Sequence, residues 1–283
     1  MRKTLSLIAT FMFVLFLAAC NQTAEPVDKQ GKEGDKKEET KELTLEEVME
    51  KSIEASESLK SFAVQMDMDS NMKVADESMS FKSNIDMDYI VEPLAVHQNM
   101  KLTSIEEEGE LEMEIYFTKD GVFVHDPVEQ QWSKFPNEMF DQISQLTDQQ
   151  TNPAEEITNL KEFADDLEFK QDDKNYIILL DASGDKFTEF LQEVLKETMP
   201  KDVPLDEQLL KDMKINKLNY EIFVDKKTFY PSALNVDMEM EMAVEGQTLV
   251  IEQKLEGNYS KFNEIKEIKV PQEVLDNAVE AEM

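Results

Sequence analysis

Residues 234–246 read "LNVDMEMEMAVEG". Leu234, Val236, Met238, Met240, Met242 and Val244 alternate with Asn235, Asp237, Glu239 and Glu241. A β-strand sends successive side chains to opposite faces, so this stretch predicts a strand with one apolar and one acidic face. Methionine is an unusual choice for the apolar face, because β-branched and aromatic side chains fit a pleated surface better.

The same period recurs along the chain. Phe62, Val64, Met66 and Met68 alternate with polar or small residues, as do Met79, Phe81, Ile85, Met87 and Tyr89. Further strands are predicted at 96–103, 111–117, 122–125, 132–135, 175–183, 215–224, 232–245, 249–262 and 268–270. "KDG" (119–121) reads as a hairpin turn and "DPVEQQ" (126–131) as a longer loop.

Other segments have a helical period. Thr44 followed by Glu47 fits a capping box, and Leu45, Val48, Met49, Ser52, Ala55, Ser56 and Leu59 then share one helical face. Met139, Phe140, Ile143 and Leu146 recur at helical spacing, and Asn152-Pro153 opens a helix through Ile157, Leu160 and Ala164. Phe187, Phe190, Leu191, Val194 and Leu195 form an amphipathic helix that stops before Pro200, and Pro271 opens a terminal turn through Leu275. Helix, strands, helices, strands is an α+β order with a mainly antiparallel sheet. Strands of about eleven residues reach roughly 36 Å, a length at which a sheet twists and curls.

The chain has 283 residues, 29 basic and 62 acidic side chains and a net charge of −33. Apolar residues make up 41%, enough for a core despite that charge. So negative a field excludes nucleic acid as a partner, since basic patches are needed to displace its counterions. It also opposes electrostatic docking on anionic lipid.

Membrane attachment is expected from the N-terminus instead. Arg2 and Lys3 precede the apolar "LSLIATFMFVLFLAA", which ends in Leu17-Ala18-Ala19-Cys20. A charged start, an apolar middle and small residues before a cleavage point describe a secretory signal peptide. "LAAC" resembles the bacterial lipobox, which implies recognition of Leu17, Ala18 and Ala19 by the signal peptidase and diacylation of Cys20. Cys20 is the single cysteine, so no disulfide is available and stability rests on packing. The expected organisation is a signal peptide over 1–19, a lipidated Cys and disordered tether over 20–42, and a folded domain over 43–283. Residues 21–42 carry almost no apolar side chain, and a flexible tether of that length holds the domain roughly 25 Å from the bilayer.

Three stretches carry a family resemblance. A helix ending "SIEASESLKSF" runs straight into a strand; "FVDKKTFYPSAL" (223–234) joins two strands through a short turn; "IKVPQEVL" (268–275) closes the domain. Together, over roughly residues 44–275, they are similar to LolA-type lipoprotein carriers, to LppX/LprG-type lipid-binding lipoproteins and to a branch of Gram-positive lipoproteins. The resemblance implies a curved antiparallel sheet, an incomplete β-barrel, with helices packed on its concave face around an apolar cavity. LolA-type carriers are soluble shuttles, whereas Cys20 predicts an anchored protein on the extracytoplasmic face of the cell membrane.

No catalytic constellation stands out. The histidines are His97 and His125, too few for a zinc site, and neither a G-x-S-x-G elbow nor a phosphate-cradling glycine loop occurs. Asp67, Asp69 and Asn71 match the first ligands of a calcium loop, but Met72 and Ser78 stand where Gly and Glu are required. Asp86, Asp88, Asp237, Glu239 and Glu241 read as a solvated face. Neither enzyme activity, nor a cofactor, nor a metal is expected.

The methionines carry the functional signal. Met66, Met68, Met79, Met87, Met100, Met113, Met238, Met240 and Met242 all fall in predicted strands. One reading is ordinary core packing, in which Met fills irregular gaps. The other is a cavity for a lipid or other apolar ligand, lined also by Phe81, Phe140, Phe187, Phe190 and Leu191, because unbranched thioethers re-pack around guests of differing shape. The competing functional class is a non-enzymatic interaction lipoprotein with a filled core and an acidic docking face.

Overall fold

The computed structural model describes residues 25–26, 42–75, 77–104, 109–136, 140, 153–182, 187–188, 213–244 and 247–281. The expected capping box opens helix α1 (Leu45–Glu57): Glu47 N–H donates to Thr44 Oγ1 at 3.2 Å, and Thr44 N–H donates to Glu47 Oε2 at 2.9 Å. These bonds satisfy donors that have no partner inside the helix. The helix buries Val48, Met49, Ser52 and Ser56, and ends where the Ser58 hydroxyl donates to the Ala55 carbonyl at 2.6 Å. Leu59 is buried at the junction, and the chain enters a strand two residues later.

The strands are β1 (Glu25–Pro26), β2 (Ser61–Val74), β3 (Glu77–Ile90), β4 (Ala95–Ser104), β5 (Glu110–Thr118), β6 (Gly121–Asp126), β7 (Gln131–Phe135), β8 (Leu167–Gln171), β9 (Asn175–Ala182), β10 (Lys214–Asp225), β11 (Pro231–Val244), β12 (Gln247–Ser260) and β13 (Val279–Glu280). Helix α2 (Pro153–Leu160) runs into a 3₁₀ turn (Lys161–Phe163), and α3 (Gln272–Asn277) lies near the C-terminus. All strands belong to one open sheet of order β1-β8-β9-β10-β11-β12-β2-β3-β4-β5-β6-β7-β13. Two meanders, β2–β7 and β8–β12, are joined where β12 pairs antiparallel with β2. Every pairing is antiparallel except the short parallel one between β13 and β7. Four strands of 14 residues lie next to one another, and a sheet of such long strands curves through accumulated twist.

Three hairpin loops use the same local device. Asp126 Oδ1 accepts from the N–H groups of Val128 and Glu129, Asp172 Oδ1 from Lys174 and Asn175, and Asp225 Oδ1 from Lys227 and Thr228. Each carboxylate satisfies turn donors that the ladder cannot reach. The "KDG" turn is also present, with Thr118 opposite Gly121 and Gly121 at φ +131°.

The core lies in two main clusters. In one, Val48 and Met49 of α1 and Ile157 and Leu160 of α2 join Ile178, Leu180, Ile222, Val224 and Leu234 of the sheet. In the other, Phe62, Val64, Met66 and Met68 join Phe81, Ile85, Phe117 and Leu255. Val236 and Tyr259 pack against both.

Some expectations need correction. Residues 268–270 form no strand: Val270 and Val274 pack side-on against Tyr116 and Phe123, so their apolar spacing serves burial and not a ladder. Strands β8 and β13 are additions to the predicted set. Within the expected tether, Glu25–Pro26 pairs with Gln171 and Lys170 at the sheet edge. The helix predicted around Phe140 and that predicted from Phe187 are described only at Phe140 and at 187–188.

Candidate functional site

Directly opposed residues of antiparallel strands point to the same face, so the register assigns every side chain. One row across the sheet is Met113–Met100–Ile85–Met66–Gly257–Leu234. The next is Leu102–Ser83–Met68–Leu255–Val236–Tyr220, and then Ser104–Phe81–Ser70–Gln253–Met238–Leu218. A fourth is Met79–Met72–Ile251–Met240–Ile215, where an irregularity between Ile215 and Lys217 keeps Ile215 on this side. All nine strand methionines named from the sequence therefore lie on one face, which we call the inner face.

On this face no charged side chain occurs from Phe62 to Met72, Met79 to Tyr89, Val96 to Leu102, Leu111 to Phe117, Leu234 to Met242 or Leu249 to Tyr259. Burial is graded along it. Met66, Met68, Phe81, Met238, Met240 and Met242 are buried, whereas Met87, Met100 and Met113 are half-buried. Met79 departs from the expected lining: it sits at the β2–β3 end of its row and is 53% exposed, with Leu111 on β5 also exposed. Phe140 stacks on Phe117 at 4.5 Å, and Phe187 stacks on Phe163 at 4.8 Å, so these two phenylalanines belong to different clusters. Leu17, Ala18, Ala19, Cys20, Phe190 and Leu191 lie outside the described residues.

Four buried polar side chains interrupt the inner face: Ser70, Ser83, Gln98 and Gln253. Gln253 donates its side-chain amide to the Met68 thioether sulfur, and the Ser83 hydroxyl has no hydrogen-bond partner among the described residues.

The opposite face is acidic and compensated. Lys82 pairs with Asp69 at 2.8 Å, Lys73 with Glu252 at 2.8 Å, Lys217 with Asp237 at 2.7 Å and Lys261 with Asp88 at 3.0 Å. Pairs this exposed contribute little stability and chiefly relieve like-charge repulsion. Bonds from Lys73 and Asn71 hold the Glu252 carboxyl below the usual range.

This face also carries an open cleft of about 420 Å³, lined by Asn99, Glu110, Glu112, Glu114, His125, Pro127, Gln130 and Trp132. Its acids are engaged: Lys101 pairs with Glu110 and Glu112, while Glu114 Oε1 lies 2.8 Å from His97 Nε2 and accepts from the Tyr116 hydroxyl at 2.8 Å. His97 stacks on Tyr116 at 4.4 Å, and burial together with the Glu114 contact pushes the Tyr116 phenol well above its usual range. The sequence named His97 and His125 without their partners, because period two predicts a face and not a register. Among the described residues no group of His, Cys, Asp and Glu side chains is arranged to hold a metal ion.

The fold and its faces define a class: an α+β protein built on one open, curved, antiparallel-rich sheet with an uncharged, methionine-rich inner face. The chain belongs to a family of unknown function, DUF6612, whose model matches residues 44–279. No curated protein matches it. Among solved structures it is similar to a DUF1329 family protein from Desulfovibrio piger, at 8% identity over 75% of this chain and 92% of that one, with a TM-score of 0.27. It is also similar to a LolA superfamily protein from Nitrosomonas europaea, at 11% identity over 81% and 96%, with a TM-score of 0.23. A third likeness is to a β-barrel-like protein of the domain of unknown function DUF1849 from Brucella abortus, at 10% identity over 70% and 98%, with a TM-score of 0.21. The LolA superfamily is the one that the sequence stretches resemble.

Proposed function

We propose that this protein is an extracytoplasmic lipoprotein, anchored through Cys20, that binds a lipid or other apolar ligand on the inner face of its sheet. The observation that carries this reading is the uncharged row structure of β2–β5, β11 and β12, in which ten methionines share one face. A core built for rigidity favours branched side chains with fixed rotamers, whereas thioethers adapt to a guest. In this reading α1 and α2, whose Val48, Met49, Ile157 and Leu160 pack with Ile178, Ile222 and Leu234, cover part of the inner face. No covalent chemistry is needed: buried ligand surface supplies about 25 cal/mol per Å².

The test is extraction of the protein, purified from cells without added lipid, followed by mass spectrometry of the extract. A stoichiometric apolar compound supports the reading, and repeated absence of one overturns it. Replacing Cys20 with Ser tests the anchor separately: the variant is expected in the soluble fraction, and full retention on the membrane rejects the assignment.

The acidic cleft beside Trp132 favours a second reading, an interaction lipoprotein that docks a basic envelope partner on its outer face. Pull-down with variants reversed in charge at Glu110 and Glu112 separates that reading from the first.

A further inference from the structure

Three of the four buried polar side chains of the inner face are grouped, with Gln98 apart from them opposite Met87. Met68 opposes Ser83, Phe81 opposes Ser70, and Ser70 opposes Gln253, so Ser83, Ser70 and Gln253 occupy neighbouring positions on β3, β2 and β12. Apolar side chains flank them: Phe81 and Ile85 along β3, Leu102 across on β4, and Met238 across on β11. Ser83 is 1% exposed and its hydroxyl is without a partner among the described residues. The Gln253 amide donates to the sulfur of Met68, a weak acceptor. A buried donor left in this condition costs stability, and an oxygen acceptor brought to it recovers that cost.

We propose that this island recognises an uncharged carbonyl, such as an acyl ester, carried by the apolar ligand. The assignment rests on the proposed function and narrows it. Ser83 on β3 is the donor toward such an oxygen, and Gln253, two strands away on β12, is a second donor of the same island. A carboxylate does not fit, because among the described residues the surrounding inner-face positions hold no cation, and a buried unpaired charge is strongly unfavourable. A plain hydrocarbon does not fit either, since it leaves the hydroxyl as it stands. The ligand class is therefore a neutral acyl ester, seated with its carbonyl near Ser83 and its chain along the methionine rows.

The experiment uses the purified full chain loaded with an apolar fluorescent dye. Methyl palmitate, hexadecane and palmitate, each delivered from cyclodextrin, are titrated in as competitors. Methyl palmitate is expected to displace the dye at about three- to tenfold lower concentration than hexadecane, the value of one neutral hydrogen bond, with palmitate weaker than the ester. Ser83→Ala is expected to abolish the ester's advantage, leave hexadecane unchanged and melt at the same or a higher temperature. Equal displacement by ester and hexadecane overturns this inference alone. So does tighter binding of palmitate, an unchanged ester preference in Ser83→Ala, or a lowered melting temperature of that variant. Displacement by none of the three overturns it together with the proposed function.

Discussion

Gln253 donates its side-chain amide to the thioether sulfur of Met68 across the seam where β12 meets β2, between residues 185 positions apart. Both side chains are buried, so the contact ties the two meanders together inside the inner face. Met68→Leu keeps the volume but removes the acceptor. It is expected to cost about 1–2 kcal/mol in denaturant melts, and Gln253→Met on the same background is expected to recover most of it. If the double variant is no more stable than Met68→Leu, the amide–thioether contact is not what that substitution removes.

Asp225 predicts the response to acid. Burial pushes its carboxyl up, but the N–H groups of Thr228 and Lys227 and the Thr228 hydroxyl outweigh that and hold it below its ordinary 3.8. The folded form thus binds fewer protons than the unfolded form. Its contribution is present above that ordinary value and is lost as pH falls through the lower folded value. Asp172 follows the same sign. Asp225→Asn is expected to destabilise the protein at neutral pH and to flatten the acid limb of its stability curve, measured by thermal melts.

Tyr116 predicts the alkaline response, with the opposite sign. Burial first, and then its bond to Glu114, keep the phenol protonated above its ordinary 10.0. Unfolded chains lose this proton first, so the contribution is present below pH 10.0 and falls as pH rises beyond it. Tyr116→Phe is expected to cost about 1 kcal/mol at neutral pH through the lost hydrogen bond and to remove part of the alkaline decline. Urea melts at neutral and alkaline pH measure both effects.

Gly121 closes the β5–β6 turn at φ +131°, and a Cβ there meets Phe123 Cε2 at 3.3 Å and Lys134 Cε at 3.4 Å. Gly121→Ala is expected to cost about 1–3 kcal/mol, because the backbone region and the space are both unfavourable to a side chain. An unchanged melting temperature contradicts this.

Much of the architecture is local and was therefore readable. The capping box at Thr44, the alternation at Met238, Met240 and Met242, the "KDG" turn and the Pro153 helix start each depend on residues a few positions apart. Strand β8 escaped because Leu167 and Phe169 are too few apolar positions to show a period; β9 makes it a strand by supplying backbone partners. Residues 268–270 showed the reverse, an apolar alternation that became a packed segment because Val270 lies against Tyr116 and Phe123 of the sheet.

The chain's alternation was sufficient to separate a wet face from a dry one, since period two is a property of one strand's backbone. It was not sufficient to place Met68 beside Gln253, to leave Ser83 without a partner, to bring Glu114 to His97, or to leave Met79 exposed while Met240 is fully buried. Those outcomes depend on strand order and register, set by pairing between distant segments, and no local pattern encodes which neighbour a strand finds.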